Sequence, residues 1–132
     1  MSILKRIVKW NKERGLIEKG FNQKTEIAHI IEELMESTGK EDSLSAREMA
    51  EKRAEEILGG SENNNKEEIV DAFADIIVFA TGSIVKLGYD PEKVMDEVLK
   101  EIESRTGKMI DGKFVKDLNV EMYKAKLEKC KF

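Results

Sequence analysis

The stretch that most constrains this chain is Ala72 to Val85, AFADIIVFATGSIV, which is apolar almost all the way round a helix. A helix with so little polar face belongs at the centre of a helical protein. Glu68, Asp71 and Asp75 are nevertheless set into it or just ahead of it. At about 3.6 residues per turn the three acids fall within about 60° of one another. Ile69, Phe73, Ile76, Ile77 and Ala80 take the other side of the wheel. A carboxylate beside so much apolar surface is costly unless its charge is compensated, and a bound cation is the most direct compensation.

A second acidic cluster, Glu32-Glu33-Leu34-Met35-Glu36, lies on an earlier helical segment. Glu33 and Glu36, three apart, are neighbours on one flank of that segment's apolar stripe. Two such helices packed antiparallel set Glu33 and Glu36 against Glu68 and Asp71. Four oxygen ligands suit Mg²⁺ or Mn²⁺, whereas zinc takes His or Cys. The plainer reading makes adjacent glutamates a solvated face, with Glu67 and Glu68 favouring a helix start through its dipole. Asp71 and Asp75 lie too far into the apolar run for that explanation.

The rest of the chain reads as helices too. Ile3, Ile7 and Trp10 mark a first helix over residues 2–14, stopped by Gly15. A second runs from about Gln23 to Thr38. Ser45 and Glu48 have capping-box spacing, which predicts a third, more polar helix from Ser45 to Leu58. Gly59 to Asn65 is a loop, and the apolar helix spans about Lys66 to Leu87. Asp90-Pro91 opens a fifth helix that ends near Ser104. Gly107 and Asp111-Gly112 predict a short hairpin or loop over Lys108 to Lys116, and a last helix runs from about Asn119 to Lys129. The expectation is a single all-α domain over residues 1–132, an antiparallel bundle of four to five helices with a short C-terminal hairpin or loop and a final helix.

Composition narrows the partners. A net charge of −4 with Lys and Arg spread along the chain argues against a nucleic acid polymer. The longest wholly apolar run, Ile76 to Ala80, is too short to span a bilayer, and the N-terminal MSILKRIVKW reads as neither signal peptide nor anchor. The single cysteine, Cys130, stands in a tail expected to be mobile and fits a reducing cytoplasm.

Glu32-Glu33-x-x-Glu36 followed by Glu68-x-x-Asp71 resembles the motif pair of the all-α nucleoside triphosphate pyrophosphohydrolases. That group includes MazG-like enzymes, dimeric dUTPases and phosphoribosyl-ATP pyrophosphohydrolases. Trp10-Asn11-x-x-Arg14-Gly15-Leu16 is similar to the group's first helix, EIVDAFADIIVFATGSIVKLGYD to its central helix, and SRTGKMIDGKFVKD to its C-terminal basic loop. The combination is closest to small MazG-like members. Asp75 offers a second pairing, Asp71-x-x-x-Asp75, and stands as a further ligand or as a support to one.

The resemblance implies Mg²⁺-dependent hydrolysis of a (deoxy)nucleoside triphosphate to the monophosphate and pyrophosphate, with Mn²⁺ as a substitute metal. Glu33, Glu36, Glu68 and Asp71 then hold the metal. Glu33, with Glu32 as second choice, orients and deprotonates the attacking water. Arg105, Lys108, Lys113 and Lys116 meet the phosphate tail. Trp10 stacks on the base or is a core residue between Ile7 and Leu16, while Asn11 and Gln23 hydrogen-bond base edges. A homodimer or homotetramer is implied as well.

Two other classes compete. One is a non-enzymatic helical-bundle interaction protein whose acids serve solubility. The other is a carboxylate-bridged redox-metal protein, for which Glu26-x-x-His29 supplies half a site. With His29 the only histidine, one bundle lacks the second Glu-x-x-His unit, so His29 is expected on the flank of its helix.

Overall fold

The computed structural model describes residues 1–111, 113–117 and 122–132. It is all-α in character: α1 (Ile3–Glu13), α2 (Gln23–Glu36), α3 (Ser43–Leu58), α4 (Lys66–Lys86) and α5 (Pro91–Ser104). A hairpin of β1 (Gly107–Ile110) and β2 (Lys113–Lys116) follows, and then a 3₁₀ turn, Leu127–Cys130.

Local chemistry sets the helix starts. Ser2, Asn22, Asp42 and Asp90 each accept a backbone N–H with a side-chain oxygen at the head of α1, α2, α3 and α5. The expected Ser45 start of α3 is corrected by one of these. Asp42 Oδ1 accepts from Ser45 N at 2.8 Å, so the helix begins two residues earlier than the capping-box spacing predicts. Gly59 closes α3 at φ +61°, a left-handed conformation that glycine adopts without a Cβ penalty. Asp111 at the hairpin tip also has positive φ, +49°, which aspartate tolerates better than most residues.

The chain forms two compact units. In the unit Gly20–Ile69, α2 and α3 pack on each other. Ala46, Ala50 and Ala54 are fully buried on α3, and Ala50 and Ala54 meet Ala28, Ile27 and Ile31 of α2. Spaced four apart, these small side chains form a stripe that lets two helix backbones approach closely. In the unit made of Met1–Lys19 and Val70–Phe132, α5 packs on α1 and on the 3₁₀ turn, with Leu99 in its core. Arg6 of α1 joins this pair, its Nη1 2.7 Å from Asp96 Oδ1 and its Nη2 2.6 Å from Glu103 Oε1.

Three further expectations are corrected. The final helix is absent from the residues described: 122–126 are irregular and Leu127–Cys130 make one 3₁₀ turn, while 118–121 lie outside the described residues. The tail is pinned. Asp90 N donates to Cys130 O at 2.8 Å, Phe132 N donates to Gly88 O at 3.1 Å, and Cys130 is buried with its thiol pushed upward by that burial. Last, α4 is not covered as a central helix is. Ile77, Val78 and Phe79 are 56%, 66% and 75% exposed. Within the unit that holds Val70–Lys86 no described element packs along this helix, whereas α1 and α5 pack on each other.

Candidate functional site

The α2 acids differ in their surroundings. Glu32 is held by α3, its Oε1 accepting from Arg47 Nε at 3.1 Å, and its side chain is 16% exposed. Glu33 is exposed and Glu36 is half-buried. Glu36 has no side-chain hydrogen bond or ion pair among the described residues. Glu32 is thus committed to a structural partner on α3.

The start of α4 is held by the asparagine loop. Asn63 Nδ2 donates to Glu68 Oε2 at 3.3 Å, and Asn65 Nδ2 donates to Glu68 Oε1 at 3.1 Å. Asn65 Oδ1 in turn accepts from Glu68 N, a cap on the first turn. The loop is tied to α2 through Asn63 N, which donates to Gln23 Oε1 at 2.9 Å. Gln23 lies ten residues before Glu33, about 15 Å along the helix axis, so the loop anchors at the far end of α2 from Glu33 and Glu36. Asp71 and Asp75 are exposed and have no hydrogen-bond or ion-pair partner among the described residues.

Among the described residues no group of three or more His, Cys, Asp and Glu side chains gathers closely enough to hold a metal ion. The donor chemistry nonetheless fits a hard cation. Glu36, Asp71 and Asp75 offer only oxygen, with lone pairs no described protein group uses. His29 pairs with Glu26, Nδ1 to Oε1 3.8 Å, on the exposed flank of α2, where the sequence put it.

The basic segment is partly described. Arg105 is engaged with Glu101, Nη2 to Oε2 3.3 Å, and Lys108 is exposed on β1. The side chains of Lys113 and Lys116 lie outside the described part of the structure. Of the residues expected at the base, Trp10 is half-buried with the Arg14 guanidinium 5.3 Å from its ring centroid, a cation–π contact. Asn11 Nδ2 donates to Ile7 O at 2.8 Å, and Gln23 Oε1 holds the asparagine loop as described. Both amides are thus engaged by the protein itself.

One group that sequence reasoning missed is the polar stripe of α5. Glu97 is 12% exposed and accepts from Tyr123 Oη at 2.6 and 2.9 Å, from Lys126 N at 2.8 Å and from Lys100 Nζ. No local pattern announces it, since Glu97 and Tyr123 are 26 residues apart.

The Tyr123 hydroxyl, and then the Lys126 backbone N–H, hold the Glu97 carboxyl below the ordinary glutamate range. A carboxyl depressed by folding contributes stability above its unfolded value and loses that contribution as pH falls through its folded value. Asp96, Glu55 and Asp42 are lowered as well, the first two by cationic partners and the last by its cap. The Glu97 carboxylate raises the Tyr123 phenol, whose share is present below about 10.0 and lost above it. The urea midpoint is therefore expected to fall as pH drops below about 4.5. Tyr123→Phe should make that fall shallower. An unchanged midpoint down to about pH 3 would refute this account.

The sequence pattern of one protein family, phosphoribosyl-ATP pyrophosphohydrolase, matches residues 22–101. Comparison with curated proteins finds no match, and neither does comparison with solved structures. The matched span contains α2, α3, α4 and nearly all of α5, and with them every acid of the two clusters. Trp10, Asn11, Arg105 and the hairpin lysines fall outside it.

Proposed function

Since the chain belongs to the phosphoribosyl-ATP pyrophosphohydrolase family, and is on that ground a hydrolase of phosphoric anhydrides, we propose that it cleaves a (deoxy)nucleoside triphosphate to the monophosphate and pyrophosphate with Mg²⁺ as cofactor. The observation that carries this reading is the position of both acidic clusters inside the matched span. Glu33, Glu36, Glu68 and Asp71 hold the cation, with Asp75 as a further ligand or support, and Mn²⁺ serves in its place. When bound, the metal supplies positive charge against the phosphate oxygens and offsets charge that develops as the anhydride opens.

Glu33 orients the water and takes its proton as the water attacks the α-phosphorus, with pyrophosphate leaving. Glu32, whose side chain is bonded to Arg47 of α3, is the second choice for this role. Lys108, Lys113 and Lys116 meet the phosphate tail, with Arg105 at the root of their hairpin. The exposed apolar residues of α4 support a homodimer or homotetramer, in which a second copy covers them. No described helix is long and apolar enough to cross a membrane. The cytoplasm as the place of the reaction rests on the single cysteine of the sequence, which fits a reducing compartment.

A second reading, with phosphoribosyl-ATP as substrate, is favoured by the description of the matched family. Purified protein should be offered canonical and modified nucleoside triphosphates and phosphoribosyl-ATP, with pyrophosphate and phosphate measured separately. Pyrophosphate release that needs Mg²⁺ or Mn²⁺ is expected from at least one triphosphate. Turnover of phosphoribosyl-ATP alone moves the assignment to the second reading. No release from any of them sinks the enzymatic reading in favour of an interaction protein. Iron uptake with a visible absorption band marks the redox-metal class.

A further inference from the structure

The β-hairpin leaves the C-terminal end of α5, and the protein grips it at both roots. On the outgoing side Arg14 Nη2 donates to Arg105 O at 3.1 Å, while the Arg105 side chain pairs with Glu101. Across the base of the hairpin, Asp117 N donates to Thr106 O at 2.7 Å. On the returning side the chain is caught by three α5 side chains. Tyr123 N donates to Ser104 Oγ at 3.0 Å, Ala125 N to Glu101 Oε1 at 2.9 Å and Lys126 N to Glu97 Oε1 at 2.8 Å. Tyr123 Oη closes the set on both Glu97 oxygens.

Residues 97, 101 and 104 are spaced four and three apart, so they share one face of α5. All three accept backbone N–H groups from one short segment that follows the hairpin. The end of the chain is secured separately, through Cys130, Lys131 and Phe132. Pinning the terminus therefore does not require the Glu97 and Tyr123 contacts. What these contacts add is a fixed place for residues 123–126, which follow the hairpin in sequence. A carboxylate as covered as Glu97 is worth retaining only with such partners, and each partner it takes is directional.

We propose that Glu97 and Tyr123 form a clasp that positions the β-hairpin for the phosphate tail, making both of them positioning residues of the reaction. The proposal rests on the reading that the hairpin lysines meet the phosphates. In this role neither side chain is required to touch substrate. The clasp acts by holding Lys108 and its neighbours where the tail arrives, and small displacements of binding groups cost large factors in productive binding.

The test uses the full chain with Tyr123→Phe, Glu97→Gln, Lys108→Ala and the Tyr123→Phe/Lys108→Ala pair. Amide hydrogen exchange over 107–117 and 122–126 should quicken roughly tenfold in both clasp variants, with α2 and α3 unchanged. For the triphosphate that the wild type turns over, KM should rise roughly tenfold and kcat stay within about twofold. In the double variant the Tyr123→Phe effect on KM should shrink, because the lysine through which it acts is gone. Faster exchange with an unmoved KM, or additive effects in the double variant, makes the clasp merely structural and overturns the positioning role. Unchanged exchange overturns the clasp itself. If the wild type turns over no triphosphate, the functional reading falls and the positioning role with it, while the exchange experiment still decides whether the clasp holds the hairpin.

Discussion

Replacing Asp71 by Asn, or Glu36 by Gln, is expected to lower metal-dependent pyrophosphate release roughly a hundredfold or more while leaving helix content intact. Both changes keep the size of the side chain and remove only its charge. Neither residue has a hydrogen bond or ion pair to lose among the described residues, so the fold has little reason to respond. A cation does have reason to respond, since a neutral amide offers one oxygen and no charge where a carboxylate offered both. Calorimetric titration of Mg²⁺ and Mn²⁺ should show weakened binding in the same variants. Glu67→Gln is the control, because Glu67 is an exposed acid beside the cluster to which no role is assigned. If Glu67→Gln costs as much as Asp71→Asn, general surface charge is at work and the metal assignment fails. Asp75→Asn, measured alongside, decides between the two registers: a loss as deep as that of Asp71→Asn places Asp75 among the ligands.

The second large effect is on stability. Ala50 is fully buried where α3 meets α2, in contact with the cluster of Ala28 and Ala54 and flanked by Ile27 and Ile31. Leucine there adds three carbons to a seam whose closeness depends on having none. Overpacking of this kind costs about 1–3 kcal/mol, and more where neither helix can yield. Ala50→Leu should therefore lower Tm by roughly 5–10 °C. Met49→Leu, one residue away on the exposed side of α3, should change it little. Equal melting of Ala50→Leu and wild type would show that the two helices are not held by this stripe.

Much of this protein was legible from residue order because the relevant physics is local. The five helices, the hairpin at Asp111 and the proline start of α5 follow from periodicity, caps and turn residues within a few positions of one another. The acidic clusters were legible for the same reason, being repeats of three and four on single helices. The matched family span, which encloses them, agrees with the kind of enzyme their pattern resembles. Local competition misled at α3, where Asp42 takes the cap in place of Ser45.

What tertiary structure alone decided concerns partners distant in sequence. Nothing near Glu97 foretells that Tyr123 will close on it, and nothing near Glu32 foretells Arg47. Alanine carries no strong pattern in a polar helix, so the seam of α3 became visible only when its residues were seen buried. The apolar α4 shows the reverse case. Its sequence determined that the helix needs cover, because apolar surface gains free energy on leaving water. Which surface supplies that cover depends on packing, and in this chain Ile77, Val78 and Phe79 remain exposed.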